Sequence, residues 1–452
     1  MHLIVITEIF VQLFFINHAL RNDKPRHWLY ILLIPWAGFI IYFFTEFSRE
    51  DDIEYTQTQP AALPTGCKLA YTARGKLFHL SGNSFPEQIQ SPFGQKVIDQ
   101  TVRLNRKNEW KIKGSGSHFG GSILWGMDHL ETDSIKVNIT TATRNPDDNK
   151  FYYVLETESS GGLFVYDNNT GEENRLFHKE KFKARDLDIN SKTKEFVCSQ
   201  QFTNGTSNLI LISEDGRDTR EITQGDSIDD CPSWMPGDQR RILFQSTGVA
   251  RNQAGYAAGR GATAVQALDL DNNLMTTVLE DSRYDFLQPH ISVDGYLYYI
   301  RRPYEQNQFR QETAFMDFLL FPFRLLRAVF HYLNFFSIVY SQKPLTTASG
   351  PRIRNDDLKT IILKGKIINA EKALSSGAKI LGVPSLVPSS WELIRRDENG
   401  NEEVLAKNVA AFDIGRNGTI IYSNGYGIFT LDNHKRQQLL IRDRLIEDVV
   451  IG

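Results

Sequence analysis

Asp229–Ser246 reads DDCPSWMPGDQRRILFQS and Ala264–Asp281 reads AVQALDLDNNLMTTVLED, and these two stretches decide the fold. Short runs of Ile, Leu, Phe, Val and Thr alternate with polar residues at the period of a half-buried strand. Each run is cut by a turn cluster, Pro236-Gly237-Asp238 in the first stretch and Asp271-Asn272-Asn273 in the second. The unit from Ile228 to Glu280 therefore reads as an inner strand, a turn, a second and third strand, another turn and a fourth strand. The same order recurs at 138–177, 184–223, 286–302 and 410–441.

Unit starts fall near Ile98, Ile139, Ala184, Asp229, Phe286, Val409 and Ile446. A four-stranded propeller blade occupies about 40–45 residues. The long gap before Val409 shrinks to that length if Tyr304–Ser389 is an insertion inside one blade, since YLYYIRR precedes it as a second strand and WELIRRDENGNEEVLAKN resumes with the third and fourth. Lys68–Gln90 supplies three strands without an inner one, and Ile446–Gly452 supplies an inner strand without a blade. Pairing them removes an open edge. The expected fold is all-β: a seven-bladed β-propeller over 67–452, closed by the C-terminal strand, behind a linker at 49–66.

The unit REITQGDSIDDCPSWMPGDQRRILFQSTG resembles the TolB-like β-propeller repeat, whose core reads L-T-x-G…P-x-W-S-P-D-G-x-x-I-A-F. Thr223, Gly225, Pro232, Trp234, Pro236, Ile242 and Phe244 fall on that pattern, while Met235 and Gly237-Asp238 depart from it. The next unit matches at Pro289, Ser292, Asp294-Gly295 and Tyr298. The resemblance implies a propeller in which the Pro-x-Trp and Asp-Gly residues position strands and turns. It implies no particular activity, because propellers host many.

The first 48 residues have a different character. Leu3–Ala19 and Trp28–Phe47 are apolar, and about 20 such residues cross a bilayer core. They predict a two-helix membrane hairpin anchored by Trp28, Pro35, Trp36, Gly38 and Tyr42, with aromatic residues available for the interface. At Trp28, Pro35, Gly38 and Tyr42 the second span resembles the N-terminal hairpin of phospholipase D-type cardiolipin synthases. That family's H-x-K-x-x-x-x-D motif is absent, since His178-Lys179-Glu180 and His434-Lys435-Arg436 lack its lysine. The turn 21–27 is basic and the stretch 50–54 acidic, which places the turn in the cytoplasm and the propeller on the periplasmic side of a bacterial inner membrane. Should the first span not cross, the sides exchange.

Ala314–Tyr340 is expected to be an amphipathic helix within the insertion. Asp317, Arg324, Arg327, His331 and Asn334 form a narrow polar stripe, opposite a face that includes Phe318, Phe323, Phe335 and Phe336. Such a helix suits a membrane interface. Packing on protein is the alternative, and a spanning role would bury two arginines.

The 452 residues are 41% hydrophobic and 12% aromatic with a net charge of −3, which excludes a disordered acidic chain and a broad basic nucleic-acid-binding face. Cys67, Cys198 and Cys231 provide neither a disulfide framework nor a zinc spacing. No G-x-S-x-G, H-E-x-x-H, C-x-x-C or P-loop occurs, so no catalytic residue, metal or cofactor is expected. Asp226, Asp229 and Asp230 are placed near the channel mouth as candidate binding residues, with solvated turn positions as the plainer reading. The leading expectation is a non-enzymatic, membrane-anchored scaffold whose partner is another protein, an envelope component or membrane lipid. The alternatives are a hydrolase or lyase using Asp99, Asp186, Asp188, His290 and Asp413 in the central channel, or a lipid-handling protein.

Overall fold

The chain divides into two units, Met1–Thr56 and Gln57–Gly452. The computed structural model describes residues 61–64, 67–113, 137–145, 148–237, 239–252, 257–305, 360–363, 366–369, 379–432 and 435–451. The expected membrane hairpin and the helix 314–340 with its Arg324, Arg327 and His331 lie outside the described residues. Among those described, no helix is long and apolar enough to cross a membrane.

Six four-stranded antiparallel units are present among the described residues. Blade 1 runs, from inner to outer strand, Ile446–Ile451, Lys68–Ala73, Lys76–Ser81 and Glu87–Ile89. Blade 2 is Asn138–Arg144, Lys150–Glu156, Ser160–Asp167 and Glu172–Glu180. Blade 3 is Ala184–Ile189, Phe196–Gln201, Ser207–Ile212 and Thr219–Glu221. Blade 4 is Ser227–Trp234, Arg241–Arg251, Ala264–Asp269 and Leu274–Leu279. Blade 5 is Tyr284–Ile291, Leu297–Pro303, Glu392–Arg396 and Glu402–Lys407, and blade 6 is Ala411–Ile414, Ile420–Ser423, Gly427–Leu431 and Gln437–Arg442.

The expected closure is present. Leu69, Ala70 and Tyr71 pair with Ile451, Val450 and Val449, so the last residues of the chain become the inner strand of its first blade. Apolar alternation explains the register: Leu69, Tyr71, Ile446, Val449 and Ile451 are all buried in one cluster with Ile421, Ile428 and Ile441 of blade 6. Comparable clusters fill the seams between blades 1 and 2, 2 and 3, 3 and 4, and 4 and 5. Each blade is a half-apolar sheet that buries its faces only between its neighbours, and this makes the ring cooperative.

The insertion also falls where expected, between the second and third strands of blade 5, because Leu297–Arg301 pairs directly with Glu392–Arg396. The residues around its end pack on the propeller. Val383, Leu386, Val387 and Trp391 are buried, and the Leu386 amide donates to Asn424 O at 3.0 Å. The Asn408 side chain donates to Val387 O at 2.8 Å, and the Arg302 guanidinium lies 4.8 Å above the Trp391 ring. The tail of the insertion therefore wedges between blades 5 and 6. Within the insertion, Thr360–Leu363 and Lys366–Asn369 form a hairpin.

The expected unit start at Ile98 does not lie on a strand. Ile98 lies in helix α1 (Pro92–Lys113). Ser91 caps it, with its hydroxyl accepting from the Gly94 amide at 3.0 Å, and Pro92 occupies the first helical position, where its missing N–H costs nothing. Glu173 of blade 2 accepts from the Phe93 amide at 2.9 Å, which places a carboxylate at the positive end of the helix. Within the expected linker, Ala61 and Ala62 pair with Ser84 and Asn83, and Leu63 is buried.

Strand direction gives the ring two ends. At one end are the turns that follow the first and third strands of each blade. At the other are the returns to the next inner strand and the links from second to third strand. Helix α1, the blade 5 insertion and the ribbon in which Val249–Arg251 pairs with Ala257–Arg260 all leave from this second end.

Candidate functional site

The inner strands stand side by side in the order of the blades, and Gln288 Nε2 donates to Phe412 O at 2.8 Å to bridge blades 5 and 6. They line an axial cavity of about 100 Å³ whose walls include Asp186, Asp188, Ser233, His290, Asp413 and Asp448. Three blades present these groups by one device. Asp186, Cys231 and Gln288 adopt φ of 53°, 51° and 51°, and pairing slips between Arg185 and Asp188, Asp230 and Ser233, and Leu287 and His290. Each slip is a β-bulge that re-aims the following residues. Asp188, Ser233 and His290 thus occupy the same place on successive blades, two residues beyond the left-handed one.

The carboxylates are bonded to backbone. Asp188 accepts from the Ile189 amide at 2.8 Å and, across the blade boundary, from the Trp234 amide at 2.7 Å. Asp413 accepts from the Ile414 and Ile451 amides, both at 2.8 Å, and so holds the closing strand. Asp186 accepts from Cys231 N at 3.2 Å, and Thr141 Oγ1 accepts from the buried Leu187 amide at 2.9 Å. The bonds to Trp234, Ile451, Cys231 and Leu187 join neighbouring blades around the axis.

Burial sets the protonation. It raises Asp188 to about 6 against the pull of its two N–H donors. It raises Asp413 to about 7, with the negative charges of Asp188 and Asp448 adding to the rise. Burial lowers His290 to about 4, so near neutrality its imidazole is uncharged. Its Nδ1 is hydrogen-bonded to Ser233 Oγ at 3.0 Å. Chemically the cavity can share protons between acids and hold a small polar species. Among the described residues, no group of three His, Cys, Asp or Glu is placed to hold a metal ion.

Asp186, Asp188, His290 and Asp413 are brought together, as the channel reading expected. Asp99 is not: it sits exposed on helix α1, accepting from Gln95 Nε2 at 3.1 Å. The three acids expected at the channel mouth each have a partner within blades 3 and 4. Asp226 pairs with Arg251 at 2.5 Å, Asp229 accepts from Ser246 Oγ and Asp230 from Ser207 Oγ, each at 2.7 Å. Ser233, Gln288 and Asp448 were absent from the sequence expectation. The signal for the first two was available, since Asp186-Leu187-Asp188, Cys231-Pro232-Ser233 and Gln288-Pro289-His290 are aligned triplets of the repeat.

No family model and no curated protein matches the chain. Solved structures do. TolB from Acinetobacter baumannii is 11% identical with a TM-score of 0.44, covering 85% of this chain and 66% of that one. TolB-like β-propeller proteins are among its structural neighbours. A nidogen/laminin complex matches at 7% identity and a TM-score of 0.44, covering 85% of this chain and 98% of that one. A putative 6-phosphogluconolactonase from Bacteroides uniformis matches at 11% and 0.39, covering 85% and 99%.

Proposed function

We propose that this chain is a six-bladed, TolB-like propeller, tethered to the bacterial inner membrane by its first 48 residues, that acts as a non-enzymatic interaction scaffold on the periplasmic side. The observation that carries the reading is how the axial acids are used: Asp186, Asp188 and Asp413 accept backbone N–H groups of adjoining blades. The cavity they line is about 100 Å³, whereas small-molecule sites occupy about 300–1,000 Å³. These three acids are engaged in holding the ring together. The end carrying helix α1, the blade 4 ribbon and the insertion then presents the surface for another protein or envelope component, with segment 314–340 at the lipid interface. No cofactor, metal or nucleic acid takes part.

A second reading has one observation in its favour, the meeting of Asp188, Asp413 and the Ser233–His290 pair in a single cavity. That constellation suits proton transfer in a hydrolase or lyase.

The test uses the full chain in living cells. A photo-crosslinking residue at Ala250, on the ribbon, should give a discrete protein adduct, and one at exposed Val293, at the opposite end, should not. Protease added to spheroplasts should remove the propeller, and deletion of residues 1–48 should release it from membranes. A protease-protected propeller, or equal crosslinking from both ends, contradicts the proposal.

A further inference from the structure

Positive charge is gathered at one place in a chain whose net charge is −3. Helix α1 carries six Lys and Arg against two acids, and residues 179–185 (KEKFKAR), which return from blade 2 to blade 3, carry four against one. Counting Glu156 and Glu158 of the neighbouring strand and link still leaves a surplus of five, so the remainder of the chain is acidic. Both segments belong to the second end of the ring. Helix α1 starts against blade 2, with the Phe93 ring 4.9 Å from that of Phe164 and 5.9 Å from that of His178. Lys96, Arg103, Lys179, Lys181, Lys183 and Arg185 are exposed. Other cations at this end are paired within the chain, Arg74 with Asp443, Arg251 with Asp226 and Arg283 with Asp281. Among the described residues no ion pair takes up Lys96, Arg103, Lys179 or Lys181. Glu156, which Arg185 and Lys183 attract, is engaged by the Ala184 amide at 2.9 Å. At 100° per residue Lys96, Arg103, Arg106, Lys107 and Lys113 fall on one arc of α1 about 120° wide, which holds a single acid, Asp99. Val97 and Thr101 lie across from it and are half-buried.

We propose that α1 and residues 179–185 form an electrostatic docking face for the anionic headgroups of a lipid bilayer, so that blade 2 rests on the membrane by the second end of the ring. The inference rests on the membrane-anchored reading above and gives it a lipid-contacting surface. Each Lys or Arg brought near an anionic leaflet strengthens attachment about fivefold. Three features favour lipid over an acidic protein. Trp110 falls in the middle of the basic arc, and Trp residues settle at the headgroup level of a bilayer. The blade 5 insertion leaves from the same end, and its residues 314–340 set Arg324 and Arg327 opposite a face of Phe residues, so one membrane plane serves both. The charge is also spread along a 22-residue helix, about 33 Å long, and onto a separate strand return, which suits a broad charged plane better than a localised acidic segment.

The full chain is reconstituted into vesicles of phosphatidylcholine alone, or of phosphatidylcholine with phosphatidylglycerol, and lysine acylation is read by mass spectrometry. With the anionic lipid, Lys96, Lys179, Lys181 and Lys183 should label at least about fivefold more slowly. Lys192, in the turn after the inner strand of blade 3 at the opposite end, should label alike in both. Salt at about 1 M should abolish the protection, since it shortens the screening length to about 3 Å. Lys179→Glu with Lys181→Glu should return Lys96 to its phosphatidylcholine rate, and Lys192→Glu should not. The wild-type footprint decides the matter without either variant. Flotation separates the docking face from the anchor. A chain that floats with both vesicle types yet labels alike in both overturns the docking face and keeps the anchor. One that floats with the anionic vesicles alone keeps the docking face and overturns the anchor. Protection found in cells but in neither vesicle type would point to an acidic protein and overturn the proposal.

Discussion

The axis and the rim of this ring are stabilised in opposite ways. At the axis, Thr141, Asp186, Asp188 and Asp413 each accept a backbone N–H from the adjoining blade. At the rim, outer strands such as Glu172–Glu180 and Thr219–Glu221 are largely exposed, and their charges face solvent. A lost partner at the axis strands a buried donor, whereas a lost charge at the rim is replaced by water. The difference teaches where substitutions should be felt, and a series of variants ordered from axis and seam to rim can break it.

The largest effect should come from truncation after Leu445. It removes the inner strand of blade 1 and leaves Leu69–Tyr71 as an open edge beside an uncovered core. The loss should match the whole stability of a domain, about 5–15 kcal/mol, so calorimetry should find no cooperative transition. Trp391→Ala comes next. It empties the wedge between blades 5 and 6 and should cost about 3–5 kcal/mol in urea unfolding. Thr141→Val preserves volume at the axis but leaves the Leu187 amide without its acceptor, for about 1–3 kcal/mol.

A pH dependence should follow from Asp413. Its folded value of about 7 exceeds the unfolded value of about 4, so the native state holds the extra proton between them. The stability this contributes is complete below the unfolded value and is lost as pH rises through the folded one. Between pH 6 and 7 the fall should be about 1 kcal/mol, and Asp413→Asn should flatten it. Asp188 acts in the same direction between about 4 and 6, and His290, lowered to about 4, opposes it below its ordinary value. The smallest effect belongs to the rim: Glu403→Ala, although it breaks contacts with Arg395 and Lys435, should stay within about 0.5 kcal/mol. A rim variant as costly as Thr141→Val would end the contrast.

The repeat, the closing strand and the host blade of the insertion were legible, because strand alternation and turn residues are local signals that recur. The helix at Pro92 was missed because the unit start at Ile98 was placed by spacing alone, which takes no account of the Ser91 cap and Pro92 that begin a helix. The channel was half legible. Asp188, His290 and Asp413 were named, but the direction of the Asp188 and His290 side chains, and of Ser233 between them, depends on bulges at Asp186, Gln288 and Cys231. These left-handed residues are not glycines, so simple alternation carries no trace of the slip. Asp226, Asp229 and Asp230 were grouped because they are near in sequence, yet successive strand residues face opposite ways and each finds its own partner.

The central claim is that the chain's end is woven into its beginning. Amide hydrogen exchange of the intact protein, followed at Leu69–Tyr71 and at Val449–Ile451, tests it most directly. The account predicts that both stretches exchange slowly and lose protection together, only on global unfolding. Fast exchange at Val449–Ile451 while Leu69–Tyr71 stays protected would contradict it.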